Sequence, residues 1–224
     1  MARQPSKTAS LNHEHALWAL GFRRIVGLDE AGRGAWAGPV AAGAVCLPPR
    51  RDDLPEILMG VRDSKQMTAR ARTRLIDHIK EAALAWGVGS ATRAEIDDLG
   101  IVPATCLAME RALDHLCTQF PQIVPDYLLV DSIKWPLLEQ TDIGHSAMKR
   151  GDQESLSIAA ASVLAKVWRD EQMIALDAAY PEFGFAQHKG YGVDKHQAAL
   201  RKHGPTPLHR TTFKPVRLAN ERAR

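Results

Sequence analysis

The sequence predicts an α/β fold, a sheet flanked by helices with a helical C-terminal appendage. Two observations predict it. Apolar runs of strand length recur at 23–31, 39–48, 85–96, 126–132 and 145–152. Helical periodicities lie between and after them, at 69–84, 103–117 and about 153–178. Three antiparallel-looking strands come first, and helix–strand units follow. With 224 residues, 45% hydrophobic and 25% charged, the chain can bury one sizeable core.

Each element has its reason. "RRIVGLDEA" (23–31) reads as a buried strand. "PVAAGAVCLP" (39–48) reads as a second, opening on Pro39 where no ladder donor is needed. Residues 48–65 form a polar, Pro-bearing connection. Leu75, Ile76, Ile79, Ala82 and Ala83 recur at helical spacing over 69–84. "AWGVGSATRAEI" (85–96) alternates like a strand, and Pro103 suits the first turn of the helix that follows. "DYLLVDS" (126–132) is a short buried strand ending in Asp131, and "HSAMKRGD" (145–152) a weaker one ending in Asp152. The clearest helix, about 153–178, places Leu156, Ala160, Val163, Leu164, Val167 and Ile174 on one face. Residues 180–197 are loop-rich, and 194–203 form a short helix. Residues 1–20 read as a disordered or weakly helical extension, 21–178 as the core, and 179–224 as a basic segment packed on it.

The net charge of +3 is unevenly spread. Residues 201–224 hold seven Lys/Arg and one acid, a net +6, which leaves −3 for the rest. Such a tail either is a solvated face or meets phosphates. Three cysteines, Cys46, Cys106 and Cys117, without a CxxC pair, argue against a disulfide framework and suit a reducing cytoplasm. No apolar run is long enough to cross a membrane, and the N-terminus has no hydrophobic signal region. His13-Glu14-His15 is a weak zinc-like cluster that reads as solvated surface. Cys106 and Cys117 share a helix face and read as core.

The acids form the pattern that needs explaining. Asp29 and Glu30 end the first strand, Asp131 the fourth, and Asp152 lies between the fifth strand and the long helix. Ligand sites in open α/β sheets lie at the carboxyl ends of strands. If strands one and four are parallel neighbours, Asp29 and Asp131 meet despite their separation in sequence. Crowded carboxylates hold protons or bind cations. An all-oxygen set without thiolate suits Mg²⁺ or Mn²⁺, and two such ions ~4 Å apart clamp a phosphodiester for in-line displacement. Taken singly, Asp152 could cap the long helix and Asp131 could begin a turn. Their conjunction at strand ends points to metal. Adjacent strand residues face opposite ways, so Asp29 and Glu30 share a site only if the backbone turns at Glu30. Gly32 and Gly34 are placed to permit that bend. Gly32, Gly34 and Gly38 do not make a dinucleotide loop: the spacing is GxGxxxG, a strand follows, and the acids would repel a pyrophosphate.

"DEAGRG" (29–34), "DSKQMT" (63–68), "LLVDS" (128–132), "KRGDQESLSIAAASVLAKVWRD" (149–170), "HKGYG" (188–192) and "HRTTF" (209–213) together resemble the ribonuclease HII family, in order from about 23 to 217. The resemblance implies a ribonuclease H-like fold, a five-stranded mixed sheet flanked by helices with a helical C-terminal segment. It implies a metal-dependent endonuclease that cleaves RNA in RNA–DNA hybrids and incises at single ribonucleotides in duplex DNA. Its cofactors would be two divalent cations, Mn²⁺ or Mg²⁺, on Asp29, Glu30, Asp131 and Asp152. Gly32, Arg33 and Gly34 would form the loop that senses the 2′-hydroxyl, and Tyr191 would read the RNA-to-DNA junction. Lys65, Lys166 and Arg169 would contact phosphates. Ser132, Gly100 and the "GAWAG" loop (34–38) depart from the commoner family pattern without removing a carboxylate. A nuclease of the same fold acting on junction DNA, or a silent nucleic-acid-binding module, are the competing readings. The tail "VRLANERAR" lacks an aromatic-pair motif for a sliding clamp, so no protein partner is expected, and a monomer is.

Overall fold

The structure, a computed structural model, describes residues 8–133 and 135–222. Its sheet has five strands in the order β3-β2-β1-β4-β5. They are β1 (Ile25–Ala31), β2 (Val40–Cys46), β3 (Ala85–Ala91), β4 (Tyr127–Asp131) and β5 (Gly144–Met148). β1, β2 and β3 pair antiparallel, whereas β1–β4 and β4–β5 are parallel. The expected neighbourhood of strands one and four therefore holds.

The two longest helices cover opposite faces. α5 (Ile101–Gln119) lies over the face that carries Val26, Leu28, Ala42 and Ala44. α7 (Leu156–Asp177) lies over the other, with α3 (Ala69–Ala82) beside it. Both approach closely because the strands present glycine beneath them. A Cβ on Gly27 would lie 2.3 Å from the Ser157 carbonyl carbon, and one on Gly43 would lie 2.2 Å from the Ala161 oxygen. Gly87 and Gly89 stand in the same relation to Ala112 and Ala108 of α5. The small residues of "SIAAAS" are thus a contact surface for the sheet, not only a helix-forming run.

Four details differ from the sequence reading. β3 stops at Ala91, because Thr92 and Glu95 make a capping box that opens α4 (Arg93–Leu99). The connection after β2 is not merely polar: it contains α2 (Leu54–Ile57), and Leu54, Leu58 and Val61 are buried. The long helix is two elements, α6 (Gly151–Glu154) and α7, and Ser155 caps α7, so Asp152 is not its cap. Ile174, placed on the buried face by periodicity, is 51% exposed.

The termini also differ. Residues 8–20 are no loose extension: α1 (Asn12–Ala19) packs on the body, with Ala9, Leu11 and Glu14 buried. The reading of Glu14 as solvated surface is overturned. Residues 1–7 lie outside the described residues. At the other end α8 (Phe185–His188), α9 (Asp194–His203) and α10 (Lys214–Arg222) gather around Phe183, Phe185, Leu200 and Val216. α10 lies within the basic helical and loop segment expected to pack on the core. No helix among the described residues is long and apolar enough to cross a membrane.

Gly43→Ala tests the close approach of α7. The added methyl meets main chain, so the thermal midpoint should fall by an amount equivalent to roughly 1–3 kcal/mol. Gly34→Ala, with nothing within 4 Å of its would-be Cβ, should leave the midpoint unchanged.

Candidate active site

The acids collect where β1 outruns β4. The β1–β4 ladder ends at Leu28↔Val130, while β1 continues against β2 through Asp29↔Gly43 and Glu30↔Ala42. The strand does not turn at Glu30; the turn comes at Gly32, whose φ is +98°. By strand alternation Asp29 faces α7 and Glu30 the α5 side. The two acids nevertheless share surroundings, because Asp131 raises the pKa of both.

Asp29 is 2% exposed. Burial, then Glu30, then Asp131 and Asp152 push its carboxyl well above the usual range, against an opposing hydrogen bond with Ser162. Glu30 is raised chiefly by burial, opposed by Arg33, whose Nη1 lies 3.3 Å from Oε1. Asp152 is pushed up to about 7 by burial and then by Asp63 and Asp131. Asp131 is tied to the Asp152 turn, since its Oδ1 accepts from Gly151 N at 2.8 Å. Two buried oxygens, Asp29 Oδ2 and Glu30 Oε2, have no hydrogen-bond partner. A buried carboxylate oxygen left so is costly. The four expected acids thus converge electrostatically. Among the described residues, however, no three such groups are drawn close enough to grip an ion as they stand. The donor set still fits a hard divalent cation: all oxygen, no thiolate, and two buried atoms without partners.

Asp63 is a carboxylate the sequence reading passed over. It is buried, accepts from Lys65 N at 2.9 Å and from Gln66 Nε2 at 3.1 Å, and is the charge that most raises Asp152. The signal lies in the "DSK" run, where the acid stands two residues before Lys65. Lys65 is exposed; burial lowers its pKa, and Asp29, Asp63, Glu30 and Asp152 more than reverse this and keep it charged.

The Gly32–Gly34 loop is held from behind by two buried arginines. Arg169 donates to the carbonyls of Pro39, Lys189 and Ala37 at 2.8, 3.0 and 3.1 Å. Arg210 donates to those of Gly38, Arg33 and Pro39 at 3.0, 2.9 and 3.0 Å. All three nitrogens of each guanidinium are thereby bonded to main chain and shut from solvent. Arg169 therefore does not offer its donors to a phosphate, contrary to the sequence expectation. Arg210 does not belong to a solvated tail either. Gly32 is glycine because a Cβ there would lie 2.0 Å from Arg169 Nε. Gly34, by contrast, is exposed and opens onto free space.

Tyr191 is half-buried, its ring 5.3 Å from Lys166 Nζ and 5.3 Å from Arg169 Cζ. Lys166 is largely engaged by Asp170 at 2.6 Å. The Tyr191 loop is joined to the Gly32–Gly34 loop through Trp36 N→Gly190 O, 2.8 Å. It is held below by histidines whose tautomers follow from their partners. His196 Nδ1 donates to Tyr191 O, so its Nε2 accepts from His209 Nε2 at 3.0 Å. His209 Nδ1 then accepts from Thr206 N. Burial drives both histidines down to about 4, so the relay is neutral at physiological pH.

Comparison with known proteins shows the family. The family model "Ribonuclease HII" matches residues 26–216. A ribonuclease HII of Syntrophotalea carbinolica is 50% identical over 217 residues, covering 95% of this chain and 96% of its own. The ribonuclease H2 of Pyrococcus horikoshii OT3 superposes with a TM-score of 0.72 at 27% identity, covering 89% of this chain and 98% of its own. Bst-RNase HIII in complex with Mn²⁺ shares the fold, with a TM-score of 0.69 at 20% identity over 93% of this chain and 73% of its own. Fold and sequence are those of a ribonuclease H-type hydrolase, an endonuclease. The chain belongs to the ribonuclease HII family.

The raised acids make a testable pH dependence. An acid raised in the fold binds more protons folded than unfolded, so metal-free stability falls as pH rises through the shifted range. That range runs from the ordinary carboxylate value, about 4, to about 7 for Asp152. In EDTA the melting temperature should fall between pH 5 and pH 8. Asp29→Asn should raise it at pH 8 by about 2–4 °C, the scale of roughly 1 kcal/mol in a chain of this size. Added Mn²⁺ should stabilise the parent and not the variant.

Proposed function

We propose that this protein hydrolyses the RNA strand of RNA–DNA hybrids and incises duplex DNA 5′ to a single embedded ribonucleotide, leaving 3′-hydroxyl and 5′-phosphate ends. The observation that carries this reading is the cluster of raised carboxylates, with two partnerless buried oxygens, beside a loop whose outer side carries no side chain. Asp29, Glu30, Asp131 and Asp152 would hold two divalent cations, Mg²⁺ or Mn²⁺, with Asp63 behind Asp152. Such a pair, when bound, supplies Lewis-acid stabilisation to the attacking and leaving oxygens of a phosphodiester. The Mn²⁺ in the complex of the ribonuclease HIII relative supports this choice of ion.

The chain's own groups supply the rest. Gly34 lets a sugar approach main chain, where a 2′-hydroxyl can be read. Arg33 stays paired with Glu30 while its carbonyl is held by Arg210. Tyr191 offers a ring face to the sugar beyond the ribonucleotide. Lys65, charged and exposed, and Lys166, in part, meet phosphates near the acids. A silent binder has no use for partnerless acids beside phosphates. Three cysteines, none of them in a disulfide, accord with a cytoplasmic setting.

Two duplexes that differ by one 2′-hydroxyl test the proposal, each with Mg²⁺, Mn²⁺ or EDTA. Metal-dependent cleavage 5′ to the ribonucleotide alone is the expected outcome. Cleavage of both twins would remove the ribose sensor, and cleavage of neither with tight binding would favour the silent module. Asp131→Asn should lower the rate at least about 100-fold while duplex binding persists. Tyr191→Ala should reduce the preference for the ribonucleotide about tenfold, the scale of one aromatic contact.

A further inference from the structure

Glu14 is 1% exposed and stands at the start of α7. The first amides of a helix have no intrahelical partner, and here the N-terminal segment supplies two of them. Leu156 N donates to Ser10 O at 2.9 Å, and Ser157 N donates to Glu14 Oε1 at 2.9 Å. The same Oε1 accepts from the hydroxyls of Ser155 and Ser157, both at 2.6 Å. Ser155 in turn caps Ile158 N. Ser10 Oγ also donates to Glu154 O at 2.9 Å, the last residue of α6. A carboxylate at the N-terminus of a 22-residue helix is favoured by the helix dipole as well.

This stitching bears on the metal site through α6. Asp152 sits in that single turn, between two fastened ends. Gly151 is tied to Asp131, and Glu154 and Ser155 are tied to the N-terminal segment. The segment lies before residue 26, where the family match begins. We propose that Glu14 is a positioning residue: it fixes the α6–α7 junction and thereby holds Asp152 toward the other carboxylates. The inference rests on the metal reading given above.

Mn²⁺ binding measured by calorimetry without substrate tests it, together with kcat and KM on the single-ribonucleotide duplex. Glu14→Ala should weaken Mn²⁺ binding about tenfold, the usual scale for losing a group that orients a metal ligand. KM for the duplex should stay unchanged, because the Gly32–Gly34 and Tyr191 loops are untouched. Glu14→Gln, which keeps an oxygen acceptor at the same place, should restore most of the affinity. If Glu14→Ala does not fold, Ser157→Ala carries the test, with a smaller loss of affinity expected. A lowered melting temperature with Mn²⁺ affinity unchanged would overturn the proposal and leave Glu14 a stabilising contact only. Failure of the parent protein to bind Mn²⁺ would overturn the metal site itself, an outcome visible before any variant is made.

Discussion

Most of this molecule depends on how closely α7 lies against β1 and β2. Gly27 and Gly43 bring helix main chain to where a side chain would otherwise stand. Ser162 can then reach Asp29, and Lys166 and Arg169 come beneath the loops that follow β1 and α8. The same contact sets where α7 begins, and so where α6 and Asp152 sit. A helix one side chain further away would leave Asp29 in a cavity and Asp152 out of reach. The alanine-rich face of α7 is the counterpart of the two glycines, since close packing transmits any extra volume directly into the backbone.

Around that contact the chain spends buried polar groups in two opposite ways. Arg169 and Arg210 are fully buried, and each has all three guanidinium nitrogens bonded to carbonyls. They convert the irregular stretch 33–39 into a rigid edge, joined to the Tyr191 loop by Trp36. Asp29 and Glu30 are buried with an oxygen each left unbonded. The first arrangement stabilises; the second is costly as it stands. The two are neighbours, acids set beside a braced frame, as the proposed metal and ribose site would require.

Much was legible in the residues. Alternation and apolar runs located the five strands, and the strand-end positions of Asp29, Asp131 and Asp152 drew attention to one end of the sheet. Other features were less visible. T-x-x-E at 92–95 was a readable helix start hidden by the alternation before it. Asp63 lay in a recognised motif, but burial beside Asp152, not its type, makes it matter. Periodicity put Ile174 on the core face, yet α7 there has run past the sheet.

The sequence by itself determined the α/β class, the family and four of the neighbouring acids, because those follow from local patterns and motif chemistry. Tertiary structure alone decided which charges are buried and which are free. Arg169 read as a cation for phosphate and Arg210 as part of a basic tail, and both became braces only once carbonyls closed around them. Glu14 read as surface, and became an acceptor for the first turn of a helix that begins 142 residues later. The physical reason is common to all three. A charged side chain's role is set by the partners that replace its water, and those partners come from segments far along the chain.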